Sequence, residues 1–349
     1  MLLSIVVIAA GVVLRQVDRA HFVLGRPWAA DARQLISLQR TRANDVTPLL
    51  LLLGQWVQIA GWWMLAAHGL LAACVAAAGV AVQFRHLQEV SHAAVHGVLA
   101  RAKRANLLLA EVFAHHPLGL VPVPVRVRSH VRDHHPNAAE PGLDPNLIEL
   151  AAAGLRPGVS RRAFAGAVLY PLTLRGLRCT VARLFELRLA SGAWHRVAVL
   201  LALPVLAYLC GGWAAVICGV LLPRLVLYPQ LAWLSTFVEH TWFDPDRRTG
   251  TLAEIEAGRC LRLYPANRLL AVLAAATWLP YGDLLHYAHS SHPSVRWNYL
   301  RPLERHLTPP HFLPTGLLSG DSVTRRHYTA LAHAKDATPE LADARSHRE

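Results

Sequence analysis

Two long apolar stretches organise this chain. The first, "TPLLLLLGQWVQIAGWWMLAAHG" followed by "LLAACVAAAGVAVQF", covers residues 47–84 and breaks at His68 and Gly69. An apolar helix needs roughly 20 residues to cross a bilayer, so the pattern predicts a helical hairpin through the membrane. A second hairpin is predicted from about Val197 to Leu234, with its turn near Gly211 and Gly212. Arg224 lies inside that run, where a charge is costly in lipid, and is expected to face protein or an interface. The opening run "LLSIVVIAAGVVL" (2–14) is too short for a span and has no basic residues ahead of it, so it gives little support for a secretory leader. Residues 105–123, 163–174 and 268–282 read as membrane-surface helices.

The expected fold is therefore an all-α membrane protein. It has two transmembrane helical hairpins, about four spans, and a cytoplasmic helical cap. The chain divides into an N-terminal segment (1–46), a membrane domain (47–300) and a peripheral tail (301–349) rich in proline, histidine and charge.

Composition agrees with this reading. Hydrophobic residues make up 54% of the chain and charged residues only 16%, with a mean hydropathy of +0.30; soluble domains carry about 25% charged residues. The net charge of +13 is mostly arginine. Arg101, Arg104, Arg126, Arg128, Arg132, Arg161 and Arg162 crowd the segment between the hairpins, which places that segment in the cytoplasm by the positive-inside rule. Aromatic residues do not interleave with the basic ones, so nucleic acid is not an expected partner. The five cysteines are scattered and form no CxxC pair, which excludes a zinc ribbon and gives no disulfide framework.

With two hairpins, residues 85–195 and everything after about 235 fall on one side of the membrane, and the histidine clusters fall there too. His92 and His96 are four apart, on one face of a helix, with Glu89 placed to orient a ring from behind. "HVRDHH" supplies His130, His134 and His135. "HYAHSSHP" supplies His286, His289 and His292, and Glu239-His240 follows the second hairpin. His86 is rotated away from the first pair. The other histidines (His21, His68, His115, His116, His195, His306, His311, His327, His333 and His347) are assigned to loops and interfaces.

Each cluster alone has an ordinary reading as a polar loop or a satisfied interfacial histidine. Together they offer about eight imidazoles on one face. A catalytic zinc takes three protein ligands and a structural one four. There is no HExxH for a zincin, and a carboxylate-bridged bundle needs a Glu-x-x-His on each of two helices where this chain has one, Glu89-Val90-Ser91-His92. The count suits two ions of the iron type, since imidazole is a good iron ligand.

These boxes resemble the integral-membrane fatty acid desaturase and hydroxylase family over roughly residues 45–300. His92-Ala-Ala-Val-His96-Gly97 is similar to its first box, His130-Val-Arg-Asp-His134-His135 with downstream Asp144-Pro145 to its second, and His286-Tyr-Ala-His289-Ser290-Ser291-His292-Pro293 to its third. Glu239-His240 resembles the extra histidine that the family places after its second pair of spans. Two positions depart. Ala93 stands where an acidic residue is common, and Ser290 stands where the third box has its second adjacent histidine, so that either His292 replaces it as a ligand, or one metal carries a water there, or the centre is altered.

The resemblance implies two irons, O₂ as co-substrate, a lipid acyl substrate and a separate electron donor of the ferredoxin or cytochrome b5 type. Glu89, Asp144 and Glu239 are expected behind the ligands. No HPGG-like haem stretch indicates a fused cytochrome. Leu49–Trp63 and Val197–Leu234 would wall an acyl tunnel. The expected activity is desaturation of a fatty acyl lipid, with hydroxylation of an acyl, alkane or carotenoid chain as the alternative. A histidine-rich membrane metal-binding or transport protein is the reading from another class. It would place its ligands mid-membrane at broken helices, whereas these histidines lie at the ends of apolar runs.

Overall fold

The computed structural model describes residues 1–23, 31–189, 194–318 and 320–334. Helices dominate, and the described residues contain only isolated β-bridges in place of strands. Three helices are long and apolar enough to cross a membrane, Val46–Ala66, Leu70–Val95 and Trp194–Glu239. A fourth candidate is the pair Lys103–Leu118 and Val123–Asn137, bent by 95° at its break. The chain is thus an all-α membrane protein.

Four helices open the chain: α1 (Leu2–Val23), α2 (Ala32–Arg42), α3 (Val46–Ala66) and α4 (Leu70–Val95). The α3–α4 hairpin turns at Gly69, whose φ of +107° admits glycine where a Cβ would strain. The second hairpin is hidden inside Trp194–Glu239. Helical geometry fails at Gly211 (φ −155°, ψ 22°) and Gly212 (φ 63°, ψ −156°). Arg196 and Arg224 would lie about 42 Å apart on a straight helix. Yet Arg196 donates to the Leu120 carbonyl at 3.0 Å, and the Arg224 guanidinium sits 3.1 Å from where a Cβ on Gly119 would be. The chain therefore reverses at the two glycines, as the pattern predicted. Arg224 is buried against protein. Trp63 of α3 donates to the Gly219 carbonyl at 2.9 Å, which puts both hairpin tips at one end of the molecule. The histidine boxes gather at the other end.

The first helix outlasts its apolar run. α1 has 22 residues, about 33 Å at 1.5 Å per residue, and lies antiparallel along α3. Gly11 meets Gly54 while Gly61 meets Ser4 and Ile8, so the backbones approach where any larger side chain would clash. The apolar run stops at Arg15, but the helix continues because its polar residues find partners. Arg15 bonds the His86 ring at 3.0 Å, and Asp18 pairs with Arg296 at 2.8 Å. Arg296 is fully buried and lies between the Phe22 and Trp297 rings, each 3.7 Å from its guanidinium carbon.

Asp18→Asn leaves that guanidinium buried without its counter-charge. The expected cost is about 3–5 kcal/mol, and an apolar pair at both positions should recover most of it. Thermal unfolding in detergent of the single variant and of Asp18→Leu with Arg296→Met checks both statements.

Among the expected surface helices, Arg268–Ala276 exposes Leu269, Leu270, Val272 and Leu273 and buries Ala271 and Ala274. That is the apolar outer face a surface-lying helix needs. His86 bonds the carbonyl of Ala276 and Arg85 that of Trp278, so this helix sits where α4 leaves the apolar layer.

Candidate metal centre

Four segments bring the boxes together. His92 and His96 end α4. His130 and His134 lie on a turn of π-helix, Val127–His134, and the amide of His135 donates to the His130 carbonyl five residues back. This winding explains the second box. At about 100° per residue in an α-helix, His135 would point well away from His130; the wider i→i+5 turn brings His130, His134 and His135 onto one face. His240 follows the second hairpin, and His286 and His289 lie on the short helix His286–Ser291.

The donor atoms form two groups. His92, His96, His130, His135 and His289 make one; His134, Glu239, His240 and His286 make the other. Within each, the candidate atoms all lie within 4.8 Å of one another. The contacts are between like atoms: His92 Nε2 is 2.6 Å from His130 Nε2 and 3.1 Å from His96 Nε2, and His240 Nε2 is 3.1 Å from His286 Nε2.

The far sides of three rings are fixed. His92 Nδ1 faces Glu89 Oε1 at 2.6 Å, His134 Nδ1 faces Asp144 Oδ1 at 2.9 Å, and His240 Nδ1 faces the Arg259 carbonyl at 3.2 Å. Asp144 is itself held by the amides of Ala139 and Asn146. A ring that donates from Nδ1 presents a lone pair at Nε2. Burial, followed by neighbouring imidazoles and Arg259, holds the His240 ring well below its usual value. Burial and other imidazoles do the same for His286 and His289, which keeps all three neutral and able to ligate. The Nε2 atoms of His134 and His289 are buried with no partner. Converging lone pairs and orphaned nitrogens repel or cost free energy unless a cation sits among them. The donor set therefore fits two metal ions.

His292 lies outside both groups, and Ser290 Oγ sits 3.2 Å from His286 Nε2. His86 is likewise apart. Of the remaining histidines, His115 and His116 line a crevice beside Arg196, with the His195 ring 4.9 Å from that of His116, while His327 is buried against the Phe237 carbonyl. His347 lies outside the described residues.

Sequence reasoning missed the polar core behind the histidines. Arg85 is fully buried and bonds Glu89 at 3.1 Å, Ser235 at 2.7 Å and Asp283 at 2.5 Å. The Ser235 hydroxyl lies 2.8 Å from Asp283 Oδ2 and 3.3 Å from Glu239 Oε1. It missed Trp242 too, which packs its ring against His134 and His240 from a left-handed backbone (φ 44°). Such conformations persist only where surrounding packing holds them.

A small crevice opens on His92, His286 and His289. Ala93, Val98, Tyr281, Val295, Trp297 and Leu300 supply its apolar lining. Gln55 of α3 donates to the hydroxyl of Tyr281, one of the lining residues. The crevice wall comes from the end of α4 with Val98 and from the segment after the surface helix, where Tyr281 (φ 48°) turns its ring edge-on to Trp297.

An all-helical membrane chain with two histidine groups able to hold metal ions defines a narrow class. The fatty acid desaturase family model matches residues 60–318, well over half of the chain, and the chain belongs to that family. No curated protein and no solved structure matches the chain. The family acts on lipid substrates in membranes, depends on iron, and implies an oxidoreductase.

Proposed function

We propose that the chain is a fatty acyl desaturase whose histidine groups hold two irons. The convergence of eight imidazoles from four segments on two points carries this reading. His92, His96, His130, His135 and His289 are the ligands of one ion; His134, His240 and His286 belong to the other. Two irons held there supply, with O₂ and two electrons from a ferredoxin or cytochrome b5 type donor, the power to remove hydrogen from an unactivated C–H bond.

The chain's own groups prepare the site. Glu89, Asp144 and the Arg259 carbonyl fix three rings so that Nε2 faces inward. Ala93, Tyr281 and Trp297 hold the reacting methylenes in the apolar cleft and exclude water from them. Ala93 removes an acidic side chain from that wall, which favours an unsubstituted hydrocarbon segment over a polar one. The histidine end is the cytoplasmic end by the positive-inside argument, and a basic face there suits an acidic electron donor. A hydroxylase shares every one of these requirements, so product analysis separates the two activities. The transporter reading is disfavoured because the ligands lie at helix ends and their rings are locked from behind.

Protein purified in detergent and reconstituted with phospholipid is expected to hold about two irons per chain. With O₂ and a reduced ferredoxin it should convert a saturated acyl chain to a monounsaturated one. A hydroxylated product would replace the desaturase with the hydroxylase. A chain carrying no iron, or zinc alone, would overturn both.

A further inference from the structure

We infer that Glu239 is a ligand of the second ion, supplying the donor that Ser290 does not. This rests on the two-iron reading and adds an oxygen to it. Position 290 faces the second group, since Ser290 Oγ lies 3.2 Å from His286 Nε2. An imidazole there would complete four nitrogens with His134, His240 and His286. The hydroxyl is a poor donor for iron, and His292 does not replace it, because its ring lies outside both groups.

The Glu239 carboxylate fills the gap. One of its oxygens lies within 4.8 Å of the ligand nitrogens of His134, His240 and His286. Its surroundings differ from those of Glu89 and Asp144. Glu89 and Asp144 each face the Nδ1 of a ligand ring and so act from behind it. Glu239 faces the Nδ1 of no ring, and among the described residues it makes no ion pair; its contact is the Ser235 hydroxyl at 3.3 Å. That contact leaves carboxylate lone pairs free towards the histidines. Arg85, donating at 2.7 Å, and Asp283, accepting at 2.8 Å, hold the hydroxyl in place. A carboxylate aimed at three imidazoles, with no cation of its own, has the chemistry of a ligand.

The two ions are then unequal: one has five neutral nitrogens, the other three nitrogens and an anionic oxygen. Iron per chain and the Mössbauer spectrum of iron-loaded protein test this without any turnover. The parent protein should hold about two irons in two distinct environments. Glu239→Ala, and the isosteric Glu239→Gln, should each fall to about one, with the surviving signal that of the nitrogen-rich site. Adding Ser290→His to Glu239→Ala should restore about two irons, now in similar environments, which also shows that the variant is folded. Two irons retained in Glu239→Ala would overturn the inference and leave the two-iron reading standing. Failure of Ser290→His to restore the lost iron would overturn the claim that Glu239 stands in for position 290. No iron in the parent protein would remove the two-iron reading, and the inference with it.

Discussion

His134→Ala is expected to abolish oxidation and to empty the second metal position while the chain still inserts in the membrane. His134 has no exposed surface, and its Nε2 has no partner within the protein. Its other nitrogen is held by Asp144, which is held in turn by two backbone amides. That is a large structural commitment to aiming one nitrogen. Loss of an outer partner of this kind alone typically lowers metal affinity or activity by about 10–100-fold; loss of the ligand should exceed that range. Iron analysis and product formation check the effect. The informative control is His292→Ala. His292 belongs to the same third box by sequence but lies outside both groups, so its removal should leave iron near the parent level. Equal iron loss in both variants would show that the donor groups are drawn wrongly.

The order of the boxes, the hairpins and their common end were legible because each depends on local pattern. Apolar length predicts a span, a glycine pair marks a turn, and HxxxH places two rings on one helix face. What stayed hidden depends on contacts remote in sequence or on unusual winding. Nothing in "HVRDHH" announces a π-turn, yet without it His135 would leave the face that His130 occupies. α1 was read as a short apolar run because Arg15 and Asp18 interrupt it; their partners, His86 and Arg296, lie far along the chain. Glu239 reads in the sequence as a residue behind the ligands, and which side of the rings a carboxylate takes depends on contacts that no local pattern encodes. The crevice, likewise, joins Ala93 and Val98 to residues after the surface helix, where no apolar period marks them.

Arg85 is the strongest case of a hidden residue, and its replacement is the second large effect expected. Its guanidinium joins Glu89 four residues away to Ser235 and Asp283, which are 150 and 198 positions distant. Glu89 orients His92 of one group, and Ser235 holds Glu239 beside the other. One buried cation therefore helps to position an acid at each group, Glu89 behind His92 and Glu239 beside the second. Arg85→Met removes it and leaves Glu89 and Asp283 buried without compensation. Breaking a buried ion pair on one side costs about 3–5 kcal/mol, and here two acids lose their partner. The variant should melt markedly lower in detergent and lose iron from both groups. Arg85→Lys separates charge from shape. It keeps a cation beside Glu89 and Asp283 but cannot fork to both acids and the Ser235 hydroxyl together. Its stability should lie between the parent and Arg85→Met, with iron affinity reduced at both groups. If Arg85→Lys matched the parent in iron affinity, the network would be balancing charge alone and would not be setting the angles of His92 and Glu239.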